Sequence, residues 1–340
     1  MGRLGRLLLI YFIIMSFSAC QKKKVETANP FFEEWTTPYG VPPFDRIRPE
    51  HFLPAFERGM SLHNAEIDAI VGTSDEPTFE NTIAAYDASG RMLQRTSLIF
   101  EMLAASDATP EMQAVEQEAM PLLAAHADEI RMNERLFGRI KAVYDRREAL
   151  PLTAEQRRLT EKLYRRFVRS GALLDEAGKR RLKEINGDLS RLSVKYGNNL
   201  LHENDAFGLE LTADRLEGLP NAVREAAREK AQAAGLGDKS YLFTLHKPSM
   251  LPFLSYAKDR KLREELYPAY LDRCNHGDEY DNKALVNDYI RLRTEKAHLL
   301  GYDSYADYVT ADQMAATPAA VYALLDEIWT PALDRAKEEL

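Results

Sequence analysis

Cysteine is almost absent from this 340-residue chain: Cys20 and Cys274 are the only two. If Cys20 is consumed by modification, as argued below, no intramolecular disulfide can form. Stability must then come from a buried core, which a chain of this length can supply. An excess of positive charge is missing too. Lys and Arg number 45 against 53 Asp and Glu, a net charge of −8. Such an acidic balance argues against a nucleic-acid partner, because neutralising phosphates needs grouped Lys and Arg. The apolar run from Leu7 to Met15 falls well short of the roughly 20 residues that a membrane-spanning helix needs. There is no internal repeat and no low-complexity linker.

Catalytic signatures are equally scarce. Zinc hydrolysis on a His-Glu-x-x-His helix needs two imidazoles one turn apart, with the Glu beside the bound water. The seven histidines are His51, His63, His126, His202, His246, His276 and His298, and no two are four apart. His202 and Glu203 begin the pattern, but Ala206 stands where the second His belongs. His202 therefore reads as a helix-end residue. Neither GxSxG nor a Gly-rich phosphate loop occurs. His276 lies among Asp278, Glu279 and Asp281, which could hold a cation, yet the spacing is not that of a calcium loop and reads as capping. Cys274 shares this turn and carries no local pattern of a catalytic thiol, so it reads as structural. The residues themselves thus offer no catalytic group and no metal ligand.

What is present begins with a targeting segment. Arg3 and Arg6 form a short basic region, LLLIYFIIM an apolar one, and Ser18-Ala19-Cys20 follows. Small residues before Cys are the pattern of a lipidated cysteine, with a plain signal peptide cut near Ala19 as the alternative. Lipidation at Cys20 would anchor the protein to a membrane of the cell envelope, periplasmic or outer, with Lys22–Lys24 near anionic headgroups. Residues 21–48 carry Pro30, Pro38, Pro42 and Pro43 and read as an extended arm. Five aromatics (Phe31, Phe32, Trp35, Tyr39, Phe44) are expected to pin it to the body.

From Pro49 onward the pattern is helical. Phe52, Phe56, Met60, Ile67 and Ile70 share one face of a first helix. Thr78 caps a second, with Phe79, Ile83, Tyr86, Leu93 and Phe100 inward. Thr109-Pro110 opens a third, which Pro121 should kink. Thr153 and Gln156 form a capping box. The clearest helix spans about 175–204, with Leu182, Ile185, Leu189, Leu192 and Tyr196 as a seam. Alternation predicts short strands near 206–212 and 240–246, joined by a helix from Pro220 to about Ala234. Two more helices follow over 256–314, one carrying Tyr256, Leu262, Leu266 and Tyr270, the other Leu285, Tyr289, Leu292 and Ala297 and ending at Gly301. The expected fold class is all-α with one two-stranded β element.

Several stretches resemble a known family. They include NPF at Asn29, PPFDRIRPEHFLPAFERGM from Pro42, PTFENTI from Pro77 and LTAEQRRLTEKLYRRFVRSGALL from Leu152. INGDLSRLSVKYGNNLL from Ile185, RKLREELYPAYLDR from Arg260, LRTEKAHLLGYDSYADY from Leu292 and the MAATPAAV run continue the series. Together, from about residue 29 to the end, they are similar to the thimet-oligopeptidase family of zinc metallopeptidases, closest to its bacterial peptidyl-dipeptidase branch. The resemblance implies an elongated helical protein flanking a channel, a single zinc cofactor, and short peptides as substrates. It implies residues 49–255 as a channel wall and 256–340 as the start of a catalytic domain. No zinc ligand or catalytic residue of the family can be placed on this chain, which implies an inactive N-terminal part with exposed apolar faces prone to self-association. A non-catalytic helical lipoprotein that binds peptides or a protein is the alternative.

Overall fold

The structure, a computed structural model, describes residues 29–340. Cys20 and the stretch expected to act as a targeting segment lie outside the described residues. The described chain is predominantly α-helical, with one two-stranded sheet. Its helices are α1 (Phe52–Gly72), α2 (Arg91–Ser106), α3 (Pro110–Arg131), α4 (Glu134–Asp145), α5 (Ala154–Arg169) and α6 (Glu176–Ala206). After strand β1 (Leu209–Thr212) come α7 (Asn221–Ala233), strand β2 (Ser240–Phe243), α8 (Lys247–Tyr256), α9 (Arg260–Leu271) and α10 (Lys283–Leu299). The last are α11 (Tyr305–Thr310) and α12 (Pro318–Glu339). Of the described residues, 29–191 and 294–340 form one compact unit, and 192–293 the other. The boundaries fall within α6 and α10.

Local chemistry starts most of these helices. Side-chain oxygens of Thr109, Asn133, Thr153, Asp259, Ser304 and Thr317 each accept a backbone N–H of the first turn. That satisfies donors the helix itself cannot. Thr153 and Gln156 make the reciprocal box expected of them. The helix expected from Thr78 is instead broken. Thr78 caps a π-helical turn at Phe79–Ala84, and a short α-turn ends at Asp87. The chain then reverses through Gly90, at φ +71°, before α2 starts. A side chain at Gly90 would meet the His63 ring at 3.1 Å, so the break is imposed by a close approach from α1. Helix α3 runs without interruption through Pro121.

The first unit has two apolar clusters. One gathers Ile83, Leu136, Ile140 and Val143 with Phe167, all but inaccessible to solvent. The other packs Phe31 of the arm on Phe52, Phe56 and Phe100, with ring centroids 5.1–5.6 Å apart for three of the pairs. Only part of the arm is pinned. Phe31, Phe32 and Trp35 are held there, Trp35 donating to the Pro30 carbonyl and lying under the Arg95 guanidinium. Tyr39 is fully exposed at a left-handed φ of +59°, and Phe44 is exposed too. The turn residues around Tyr39 point it away from the body, so aromatic count alone overstated the anchoring.

Polar ties complete this unit. Arg181 holds Glu295 through two bonds of 2.6 and 2.9 Å, the forked geometry that guanidinium and carboxylate share. Buried Asp128 takes the Asn186 amide on both oxygens at 2.9 Å, and Lys296 donates to Asn186 Oδ1 at 2.6 Å. Burial raises the Asp128 pKa, while Asn186 and Lys296 oppose the rise. Helix α12 has no buried residue, and Tyr322, Leu325, Trp329 and Leu333 on it are exposed. An exposed apolar face was expected of this chain, and it is found on this helix.

In the second unit β1 and β2 pair antiparallel, Leu209 opposite Phe243 and Thr212 opposite Ser240. Leu209 and Leu211 point inward, Glu210 and Thr212 outward, as the alternation predicts. Their inner face joins Phe253, Leu262 and Leu266 in one cluster. Tyr256 is not part of α9 as expected. It ends α8, half exposed, because Asp259 caps a fresh helix through the N–H groups of Lys261 and Leu262.

Candidate functional site

The acidic turn between α9 and α10 is a cap, not a cation site. Asp281 Oδ1 accepts the Lys283 N–H at 2.8 Å, while Oδ2 accepts the Gly277 N–H at 2.8 Å and pairs with the Lys283 ammonium at 2.9 Å. These bonds, the backbone one first, hold its carboxyl down to about 2. Asp278 accepts the Tyr280 N–H. Both Asp281 oxygens are committed this way, which leaves that carboxylate none to offer a metal. His276 Nε2 lies 3.1 Å from Glu203, and the His202 ring stacks on Tyr280 at 3.7 Å. The one sequence fragment resembling a zinc motif, His202-Glu203, is thus split between a ring stack and a His pairing. Among the described residues no group of three His, Cys, Asp or Glu could hold a metal ion. The described residues do not fit a zinc ion.

Cys274 is buried in the same turn at φ +55°. Burial, and then Glu203, pushes its thiol pKa up. A protonated, enclosed thiol is a poor nucleophile, which agrees with a structural role. Its carbonyl accepts the Asn282 N–H at 2.8 Å. Asn282 is itself buried and receives the amide of buried Asn199 at 2.9 Å, and its own amide donates to the Tyr196 carbonyl at 3.3 Å. This polar knot fixes the stretch of α6 after residue 191 against the start of α10. Sequence periodicity gave no sign of it, because the two Asn are 83 residues apart.

Beside the knot the two helices leave a groove of about 360 Å³. Leu192 and Tyr196 form one wall, Leu285, Val286, Tyr289 and Ile290 the other. At one end the Arg293 guanidinium lies 4.1 Å over the Tyr289 ring and donates to its hydroxyl at 3.2 Å. Tyr196, Val286 and Ile290 are exposed along it. The size and lining are those of a pocket for small apolar groups. Ser193 also lines the groove, but no His, Cys, Asp or Glu stands among the lining residues to activate it, so what the groove offers is a binding surface. The seam read from Leu182 to Tyr196 explains half of this: Leu182 and Ile185 are fully buried, whereas Tyr196 opens onto the groove.

Comparison with known proteins then decides the family. Residues 253–340 match the model of Peptidase family M3. The dipeptidyl carboxypeptidase of Escherichia coli (strain K12) is 37% identical over 315 residues, covering 92% of this chain and 46% of that protein. The chain belongs to peptidase family M3. The dipeptidyl carboxypeptidase of Salmonella typhimurium is 35% identical over the same shares of both chains. Oligopeptidase A of Haemophilus influenzae is 30% identical, covering 88% of this chain and 44% of that protein. The chain spans about half the length of the curated relatives it matches. Within family M3 it is most like the dipeptidyl carboxypeptidases. The model match begins at α8, shortly before the capped start of α9.

Proposed function

We propose that this chain works as part of a zinc metallopeptidase that takes short peptides and releases dipeptides from their carboxyl ends. The higher identity to two dipeptidyl carboxypeptidases, 37% and 35%, than to the oligopeptidase at 30% carries this reading. The groove of α6 and α10 supports it, as an apolar surface on which the side chains of an extended peptide can rest. No group of three His, Cys, Asp or Glu among the described residues could hold a metal ion, and the chain covers 46% of its dipeptidyl carboxypeptidase relative, which supports zinc ligands and a general base carried outside these 340 residues. The 340-residue chain by itself is therefore expected to hold no stoichiometric zinc and to cleave nothing. The complete gene product, with zinc, should release C-terminal dipeptides from a short peptide, as read by mass spectrometry, and amidation of the carboxyl end should abolish the cut. Internal cleavage of the amidated peptide would assign an oligopeptidase instead, and stoichiometric zinc on the 340-residue chain would overturn the placement of the ligands. A non-catalytic peptide-binding lipoprotein draws no support from the dipeptidyl carboxypeptidases and oligopeptidase A that the chain matches.

Localisation follows the same logic. The basic, apolar and small residues before Cys20 support a lipid anchor there and a place in the cell envelope, periplasmic or outer-membrane. No described helix is long and apolar enough to cross a membrane. Replacing Cys20 by Ser should move the protein from the membrane fraction to the soluble one and end incorporation of labelled palmitate. Unchanged membrane association and labelling in C20S would rule the anchor out.

A further inference from the structure

His63 on α1 and His126 on α3 meet across the first unit, His63 Nδ1 lying 3.0 Å from His126 Nε2. The bonds around them fix which nitrogen carries a proton. The Ser89 hydroxyl donates to the Tyr86 carbonyl at 2.7 Å, so its proton is committed. Its oxygen lies 3.2 Å from His63 Nε2 and must accept there, which makes Nε2 the protonated nitrogen of His63. Nδ1 then holds a lone pair, and His126 Nε2–H is the donor that fills it. One directed chain results: His126 to His63 to Ser89 to the Tyr86 carbonyl.

That direction has a consequence. The first proton added to the pair goes to His126 Nδ1 and leaves the bond between the rings in place, whereas the second can only go to His63 Nδ1. Two N–H groups would then face each other across 3.0 Å with no acceptor between them. We propose that His63, His126 and Ser89 form an acid-sensitive latch holding the 88–90 turn to α1 and α3, which opens when both histidines are protonated. The turn is otherwise tied by Gly90 N–H to Glu66 at 2.7 Å and fits under the His63 ring only because residue 90 has no side chain. Opening therefore loosens the point from which α2 departs.

The charged groups facing the pair are Glu66 on α1 and Glu129 on α3; the turn supplies only the Ser89 hydroxyl and the Tyr86 carbonyl. Burial, and then His126, lowers the His63 pKa from 6.5, and Glu66 opposes this without reversing it. Burial lowers the His126 pKa as well. The sign is that of a histidine depressed in the closed state. The open form binds more protons below 6.5, so the closed form loses stability as pH falls from there and is unaffected well above it.

Ring-nitrogen NMR on the full 340-residue chain, labelled at histidine, tests the latch together with amide exchange at Gly90. At neutral pH His63 should be the Nε2–H form. On acidification its protonation, below 6.5, should coincide with about a tenfold loss of Gly90 protection. In His126→Phe, His63 should titrate higher than in the wild type, and Gly90 protection should no longer follow it. Ser89→Ala keeps both rings and should give a mixture of His63 tautomers at neutral pH. An Nδ1–H tautomer in the wild type, or protonation of His63 with Gly90 protection unchanged, would overturn the proposal.

Discussion

Phe167→Ala is expected to destabilise the first unit by about 3–5 kcal/mol, the usual cost of removing a fully enclosed aromatic ring. Phe167 has no solvent exposure. Its ring lies parallel to that of Phe137 at 6.3 Å and edge-on to Tyr86 at 5.4 Å. It therefore joins α5 to α4 and to the turn after the π-helical segment, three pieces that share one cluster. Alanine leaves a void that these rigid neighbours cannot collapse around, while Phe167→Leu keeps most of the volume and should cost less than about 2 kcal/mol. Urea unfolding followed by circular dichroism reads the difference as a shift in midpoint. A loss under about 1 kcal/mol for the alanine variant would mean that the cluster is looser than its burial implies.

Gly218→Ala should damage the second unit on different grounds. Gly218 stands at φ +90°, and a methyl group built there would sit 2.2 Å from the Tyr256 carbonyl oxygen and 2.9 Å from the Lys258 side chain. The left-handed backbone costs an alanine about 1–2 kcal/mol. The contact with a backbone oxygen must also be relieved by moving the loop. That movement breaks the bond from Lys258 N–H to the Glu217 carbonyl and lifts Leu216 and Leu219 from the cluster they enter. The sum should reach about 2–4 kcal/mol. Gly235→Ala separates the two causes, since Gly235 has φ +73° and open space around it. It should show the backbone cost alone. Equal losses in the two variants by thermal unfolding would show that the clash at Gly218 is absorbed without harm.

The candidate site was legible only in part. The turn holding Cys274, His276 and Asp281 reads as capping chemistry, and the bonds to Gly277, Tyr280 and Lys283 agree. The groove beside it is not legible in the sequence, because its two walls are nearly a hundred residues apart and each looks like an ordinary apolar helix face. Asn199 and Asn282, which brace it, look like a helix-surface residue and a turn residue until they are seen to be buried together.

The sequence by itself determined where most helices start, where β1 and β2 lie, and which faces are apolar. These depend on interactions within a few residues: a Thr or Asp oxygen reaching its own first turn, or alternation along a strand. Tertiary structure decided the rest. It broke the helix expected after Thr78 at Gly90, because a ring from α1 occupies the space a side chain would need. It placed Tyr256 at the end of α8 and left Tyr39 in solvent. It also joined His63 to His126, Asp128 to Lys296 through Asn186, and Asn199 to Asn282. Each of these depends on which helix packs against which, and a buried polar group finds its partner across that contact, not along the chain.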